Sequence, residues 1–255
     1  MKWIYVYLSM MLKKVLSASL FLLAQSLCAQ QYYNDSAIVS GAAEYAKQYY
    51  NLKRGNESAI YNGVMHHYYP SVIEGTAYFS GDSWAKGTVL YDNIFYEDML
   101  MRYDLVTDQL VILLNETSSI SLSLFSPRVK EFSYSGLKFI YQYKINGMPS
   151  FEEGFYQELV RGRVSALCRT TKIIAETING NELLKKFEEK KKYYLVKDNH
   201  TFHITKKKDL LSLLKDKKKT VQEYMKIKKL KFRKNTEKTI TAVTELYNKP
   251  EEKKL

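Results

Sequence analysis

The stretch Thr88-Val89-Leu90-Tyr91-Asp92-Asn93-Ile94-Phe95-Tyr96 decides the fold class. Two runs of β-branched and aromatic residues flank a two-residue pair, and Asp and Asn both tolerate the positive φ of a tight hairpin turn. The same grammar recurs in both directions. Upstream, Tyr61-Asn62-Gly63-Val64 contains Asn-Gly, the strongest short hairpin signal. Downstream, residues 99–103 and 109–114 face each other across Asp104-Leu105-Val106-Thr107-Asp108. Ile120-Ser121-Leu122-Ser123-Leu124 alternates strictly, which predicts one buried face. Further hairpins are expected at Ser135-Gly136, between strands 131–134 and 137–141, and at Asp198-Asn199, between strands 193–197 and 201–205. Two more strands, 155–161 and 163–173, break at Gly162. The expected fold is α+β and mainly β: an antiparallel meander of about nine to eleven strands, curled into a roll or partial barrel.

From Lys206 the hydrophobic period becomes helical. Leu210, Leu211, Leu213 and Leu214 share a face, and so do Val221, Tyr224, Met225 and Ile227. Thr220-Val221-Gln222-Glu223 has the pattern of a capping box and predicts a helix opening at Thr220. Asn235 or Thr236 opens a last helix with Ile240, Val243, Leu246 and Tyr247 inward. Two or three C-terminal α-helices are therefore expected, packed on the sheet or across an open end. A short helix over residues 36–50 is a weaker expectation, because Gly41 interrupts it.

The N-terminus sets the compartment. Lys13 and Lys14 precede an apolar run from Val15 to Ala24, which exits through Gln25-Ser26-Leu27-Cys28-Ala29-Gln30. A charged start, a short apolar core and a small-residue exit are the parts of a secretory signal. The run is shorter than the roughly 20 apolar residues of a spanning helix. Met11 followed by two lysines looks like the more natural start than Met1. Leu27 before Cys28 argues against a lipidated cysteine. The division expected is a signal peptide over 1–29, a β-rich domain over 30–205, a basic helical cap over 206–248 and a disordered tail over 249–255. The location expected is exported: periplasmic or outer-membrane-associated. Once the signal is cleaved only Cys168 remains, so no intramolecular disulfide is available, and its strand setting makes it a small buried hydrophobe.

Charge is unevenly placed. The whole chain carries +12, and residues 181–255 alone carry +12, with 23 Lys and Arg against 11 Asp and Glu. In an exported protein this points to anionic lipid headgroups, lipopolysaccharide or an acidic protein partner and not to nucleic acid. Lysine-rich helices also simply solvate themselves.

Catalytic patterns are sparse. No nucleophile elbow, phosphate loop or dinucleotide fingerprint is present. His66 and His67 are adjacent and diverge if extended, and His200 and His203 sit on opposite faces of a strand, so no metal site is expected. Asp92, Glu97, Asp98, Asp104 and Asp108 can be read as glycosidase acids, as calcium ligands or as turn residues, and the turn reading is the simplest. No cofactor and no catalytic residue is expected. Aromatic residues are dense between 68 and 103. Tyr78, Trp84, Tyr91, Phe95 and Tyr103 are the candidate ligand-binding residues if they line a cavity in the curled sheet, and the same stripe serves equally as core.

The strings Ile60-Tyr61-Asn62-Gly63, Gly75-Thr76-Ala77-Tyr78-Phe79, Gly87-Thr88-Val89-Leu90-Tyr91-Asp92 and Met101-Arg102-Tyr103-Asp104 resemble a family of uncharacterised exported proteins of Bacteroidetes. Tyr193-Tyr194-Leu195-Val196-Lys197-Asp198 and Lys207-Lys208-Asp209-Leu210-Leu211 extend the resemblance over most of residues 55–248. It implies an envelope location and no activity. The function expected is a non-enzymatic binding or structural module for a lipid or protein partner. The alternatives are an envelope glycan hydrolase using the turn carboxylates, and a structural subunit of an envelope complex.

Overall fold

The structure is a computed structural model that describes residues 59–115, 117–180 and 182–250. The expected signal peptide, the helix over 36–50 and the end of the tail lie outside the described residues.

After a 3-10 turn at Ala59–Tyr61, twelve strands form one sheet. They are β1 (Val64–Met65), β2 (Ile73–Glu74), β3 (Ala85–Tyr91), β4 (Ile94–Asp104), β5 (Gln109–Leu113), β6 (Ser121–Ser123), β7 (Val129–Tyr134), β8 (Leu137–Gln142), β9 (Gly154–Val160), β10 (Val164–Asn179), β11 (Glu182–Lys197) and β12 (His200–His203). The order is β1-β6-β5-β4-β3-β7-β8-β9-β10-β11-β12, with β2 added parallel to β11. Two antiparallel meanders thus meet at the β3–β7 pair. The hairpins turn where positive φ is tolerated: Asp92 and Asn93 at 51° and 61°, Ser135 and Gly136 at 51° and 75°, Asp198 and Asn199 at 50° and 60°.

The sheet curls without closing. Tyr78 bridges Asp104 at the end of β4, and the Lys172 amide on β10 donates to the Leu105 carbonyl at 2.9 Å. The Lys172 ammonium donates to the Thr76 and Tyr78 carbonyls at 2.7 and 2.9 Å, stitching β10 to the same segment. Strands β4 and β10, five steps apart in the sheet, are thereby drawn around one core. Val89, Tyr91, Met101, Tyr103, Leu110, Ile112, Phe132, Phe139 and Phe155 fill it.

Three helices follow: α1 (Lys207–Leu213), α2 (Lys218–Ile227) and α3 (Thr236–Asn248). They cover one face of the β10–β11 ladder, where Leu210, Leu214, Val221, Ile240, Val243 and Tyr247 pack on Val164, Ala166 and Leu195. The opposite face carries a separate cluster of Phe151, Tyr156, Leu167 and Tyr194.

Several expectations are corrected. Asn62-Gly63 makes no hairpin: Gly63 is needed because a Cβ there would meet the Ser123 carbonyl at 2.8 Å, as β1 pairs with β6. Residues 120–124 do not bury one face only, since Ser121 and Ser123 are buried beside Leu122 and their hydroxyls bond Tyr68 and His66. Helix α2 starts at Lys218, before the expected capping box, so Thr220 lies within it. Ile227 is 74% exposed, because at about 100° per residue it points well away from the face that buries Val221 and Met225. The largest omission is the β10–β11 ladder, which runs on to Asn179 opposite Glu182 and leaves Ile178, Leu183 and Leu184 exposed at its far end.

Candidate functional site

The five candidate aromatic residues lie in different settings. Tyr91 and Tyr103 lie in the core of the roll, each about 1% exposed. Tyr103 contacts Phe132, Phe139 and Phe155 edge to face. An alanine at either tyrosine leaves a cavity costing about 3–5 kcal/mol, so such a variant reads out folding and not binding. Phe95 points outward on β4, as its alternation with the buried Ile94 and Tyr96 requires. Trp84 is half-buried with the Arg102 guanidinium 4.2 Å over its ring, and the same guanidinium lies 5.1 Å from the ring of Tyr78.

Tyr78 belongs instead to a buried polar cluster. His66 Nε2 shares a 2.7 Å hydrogen bond with the Tyr78 hydroxyl, and Nδ1 lies 3.0 Å from Ser123 Oγ. Burial pushes the Tyr78 hydroxyl up to about 12, so it stays protonated. Burial, opposed by Asp104 and reinforced by Arg102 and His67, holds the His66 pKa below its usual 6.5. The unfolded chain therefore binds this proton more readily than the native one. The contribution of His66 to stability is complete above about pH 6.5 and is lost as pH falls through the lower native value. Urea unfolding between about pH 7.5 and 5 should show falling stability, by at most about 1.4 kcal/mol per pH unit from this group, and His66→Gln should flatten the slope. An unchanged slope would contradict the burial of a neutral ring.

The acids between 92 and 108 do not share a cleft. Asp92 sits in the β3–β4 turn on Arg128, while Asp104 ends the eleven-residue β4 about 30 Å along the strand and Asp108 lies in the turn that follows it. Asp104 accepts from the Val106 and Thr107 amides and from the Tyr69 hydroxyl. Asp108 accepts from Tyr103, Arg169 and the Phe155 amide. Both carboxylates are committed to the turn and the core. Cys168 is buried, and burial pushes its thiol up to about 12, which leaves no thiolate at neutral pH. Among the described residues no three His, Cys, Asp or Glu side chains gather as metal ligands. No helix of the described residues is long and apolar enough to cross a membrane.

What does converge is positive charge. Two chain segments meet at the start of the helical cap and form a cleft of about 560 Å³, lined by Thr205, Lys206, Lys207, Lys208, Lys231, Phe232, Arg233 and Thr236. Five cations and no acid line it. On one side the Asp209 carboxylate accepts from the Thr205 amide and hydroxyl and the Lys206 amide, fixing the turn that presents the three lysines. On the other, Phe232 is buried in the helical core, so its neighbours Lys231 and Arg233 face outward. The Lys231 carbonyl accepts from the Lys234 and Asn235 amides, and the Thr236 hydroxyl donates to the Phe232 carbonyl. Helix α3 begins at Thr236, so the positive end of its dipole adds to the cleft. Lys207, Lys208, Lys231 and Arg233 make no ion pair with any described residue. The lysine count of the sequence signals basicity but not this meeting, because residues 206–208 and 231–233 are brought together only by the α1–α2–α3 packing.

A second cleft, of about 650 Å³, adjoins the first at the Thr205–Asp209 turn. Gly147, Met148, Thr201, Phe202, His203, Ile204, Asp209, Ser212 and Leu213 line it.

No family model, no curated protein and no solved structure matches this chain.

Proposed function

We propose that the protein is an exported envelope module that binds and does not catalyse, and that its basic cleft holds an anionic group, phosphate or carboxylate, of its partner. The observation that carries this reading is the cleft itself. Five cations held around one concavity without an acid repel one another, and an anion relieves that repulsion while gaining charge-assisted hydrogen bonds. Commitment of Asp104 and Asp108 to structural hydrogen bonds, and the raised thiol of Cys168, support binding over catalysis. Export rests on the N-terminal charge and hydropathy pattern and on the resemblance of residues 55–248 to exported proteins.

Intact-mass spectrometry of protein from the envelope fraction tests both parts. The expected result is a mature terminus near Gln30 or Gln31 and a co-purifying mass that leaves at high salt. A chain retaining Met1 or Met11 recovered from the cytoplasm would remove the export reading.

A further inference from the structure

We propose that the outer edge of β12 takes an extended acidic peptide segment of a partner protein as an added strand, with a carboxylate of that segment in the basic cleft. The inference deepens the anion-binding reading above and rests on it.

β12 ends the sheet, with β11 on one side only. The two-residue turn at Asp198-Asn199 makes Lys197 and His200 its closing pair, and in an antiparallel ladder every second pair exchanges main-chain bonds. The Ile204 amide donates to the Tyr193 carbonyl at 2.8 Å, which confirms that phase. Residues 200, 202 and 204 therefore bond inward, and Thr201 and His203 aim their N–H and C=O groups away from β11. No described residue meets those four groups. An open edge of alternating donors and acceptors is what an extended polypeptide completes.

Phe202 stands opposite Leu195 and shares its face, the one covered by the helices, and Ser212 and Leu213 of α1 join it in the lining of the adjoining cleft. His203 stands opposite Tyr194 on the other face, stacked on its ring at 4.9 Å, with Met148 packed against the same cluster. A cleft lined from both faces of a sheet runs along its edge. The slot has a wall for side chains pointing either way from an added strand, which a lipid headgroup does not use.

The single acid of the slot, Asp209, is already occupied by the Thr205 and Lys206 donors. A strand leaving the edge past Ile204 meets Lys206, Lys207 and Lys208, with Lys231 and Arg233 across the cleft. An acidic segment is thus favoured at the point where the edge gives out.

The test uses the mature chain and a short fluorescein-labelled peptide alternating Val and Glu, with a free C-terminal carboxylate. Thr201→Pro removes an outward N–H from an edge strand, where proline is tolerated, so the fold should survive. The proposal expects saturable peptide binding, weakened about tenfold or more by Thr201→Pro. It also expects slowed amide exchange at Thr201 and His203 in the wild-type complex. A peptide N-methylated at alternate amides, which needs no protein variant, should fail to bind. No binding of the peptide, equal binding of the N-methylated peptide, or unchanged exchange at Thr201 and His203 would each overturn strand addition. Capture by phosphatidylglycerol vesicles in place of the peptide would overturn it too, yet leave the anion reading of the cleft standing. Loss of every anion response would sink both.

Discussion

Gly154→Ala is expected to cost about 3–5 kcal/mol, a large fraction of a typical total stability of about 5–15 kcal/mol. Gly154 opens β9 at φ 137°, a conformation that L side chains rarely adopt. A Cβ there would collide with the Asp108 carboxylate and with both terminal nitrogens of Arg169. Strain and steric conflict act together, because the backbone cannot retreat while Gly154 pairs with Gln142 on β8. Urea unfolding followed by circular dichroism measures the effect. A loss under about 1 kcal/mol would show that the Asp108–Arg169 contact is looser than the structure has it.

The second large effect comes from Arg169 itself. Its guanidinium is buried, donates to Asp108 at 3.1 Å and to the Phe155 carbonyl at 3.1 Å, and lies over the Tyr156 ring. Asp108 also accepts from the Tyr103 hydroxyl at 2.6 Å. Burial nevertheless outweighs the attraction of Arg169 and these hydrogen bonds, and the Asp108 carboxyl is held above its usual range. Arg169→Met strands that carboxyl in the core, and breaking a buried pair in this way costs about 3–5 kcal/mol. A carboxyl whose native pKa is raised binds its proton more tightly in the native state, so its penalty is absent at low pH and grows as pH rises through the native value. The variant should therefore lose least stability near pH 4 and most near pH 7, both approximate. Arg169→Met, Asp108→Asn together should remove the extra pH dependence. A loss independent of pH would mean that Asp108 is not the stranded group.

Much of this architecture is legible in the residues because tight turns carry local chemistry. Asp92-Asn93, Ser135-Gly136 and Asp198-Asn199 each turn a hairpin in which both residues take positive φ. Asn62-Gly63 misleads for a physical reason: glycine is also required where two backbones approach, and Gly63 lies against Ser123. The same dipeptide at Asn179-Gly180, with Gly180 at φ 62°, does lie at the tip of a long hairpin. It is masked by the lysines and glutamates that follow, since an exposed ribbon shows no alternation of apolar and polar residues.

The sites are less legible than the fold. Tyr78, Tyr91 and Tyr103 are conspicuous by composition, but which way a ring points depends on register, and all three are buried. The basic cleft joins residues 206–208 to 231–236, segments separated by the whole of α2, and no local pattern reports that they meet. The open edge of β12 depends on sheet order, which is settled by partners far away in sequence.

The most direct test of the anion-binding cleft is an amide-resolved NMR titration of the mature chain with sodium pyrophosphate at moderate salt. Saturable shifts confined to Thr205, Lys207, Lys208, Phe232 and Thr236, and abolished by Lys231→Glu with Arg233→Glu, are the result predicted. Weak, unsaturated shifts spread equally over the lysines of β11 and α2 would contradict it, since the charge would then act as a diffuse surface and not as a site.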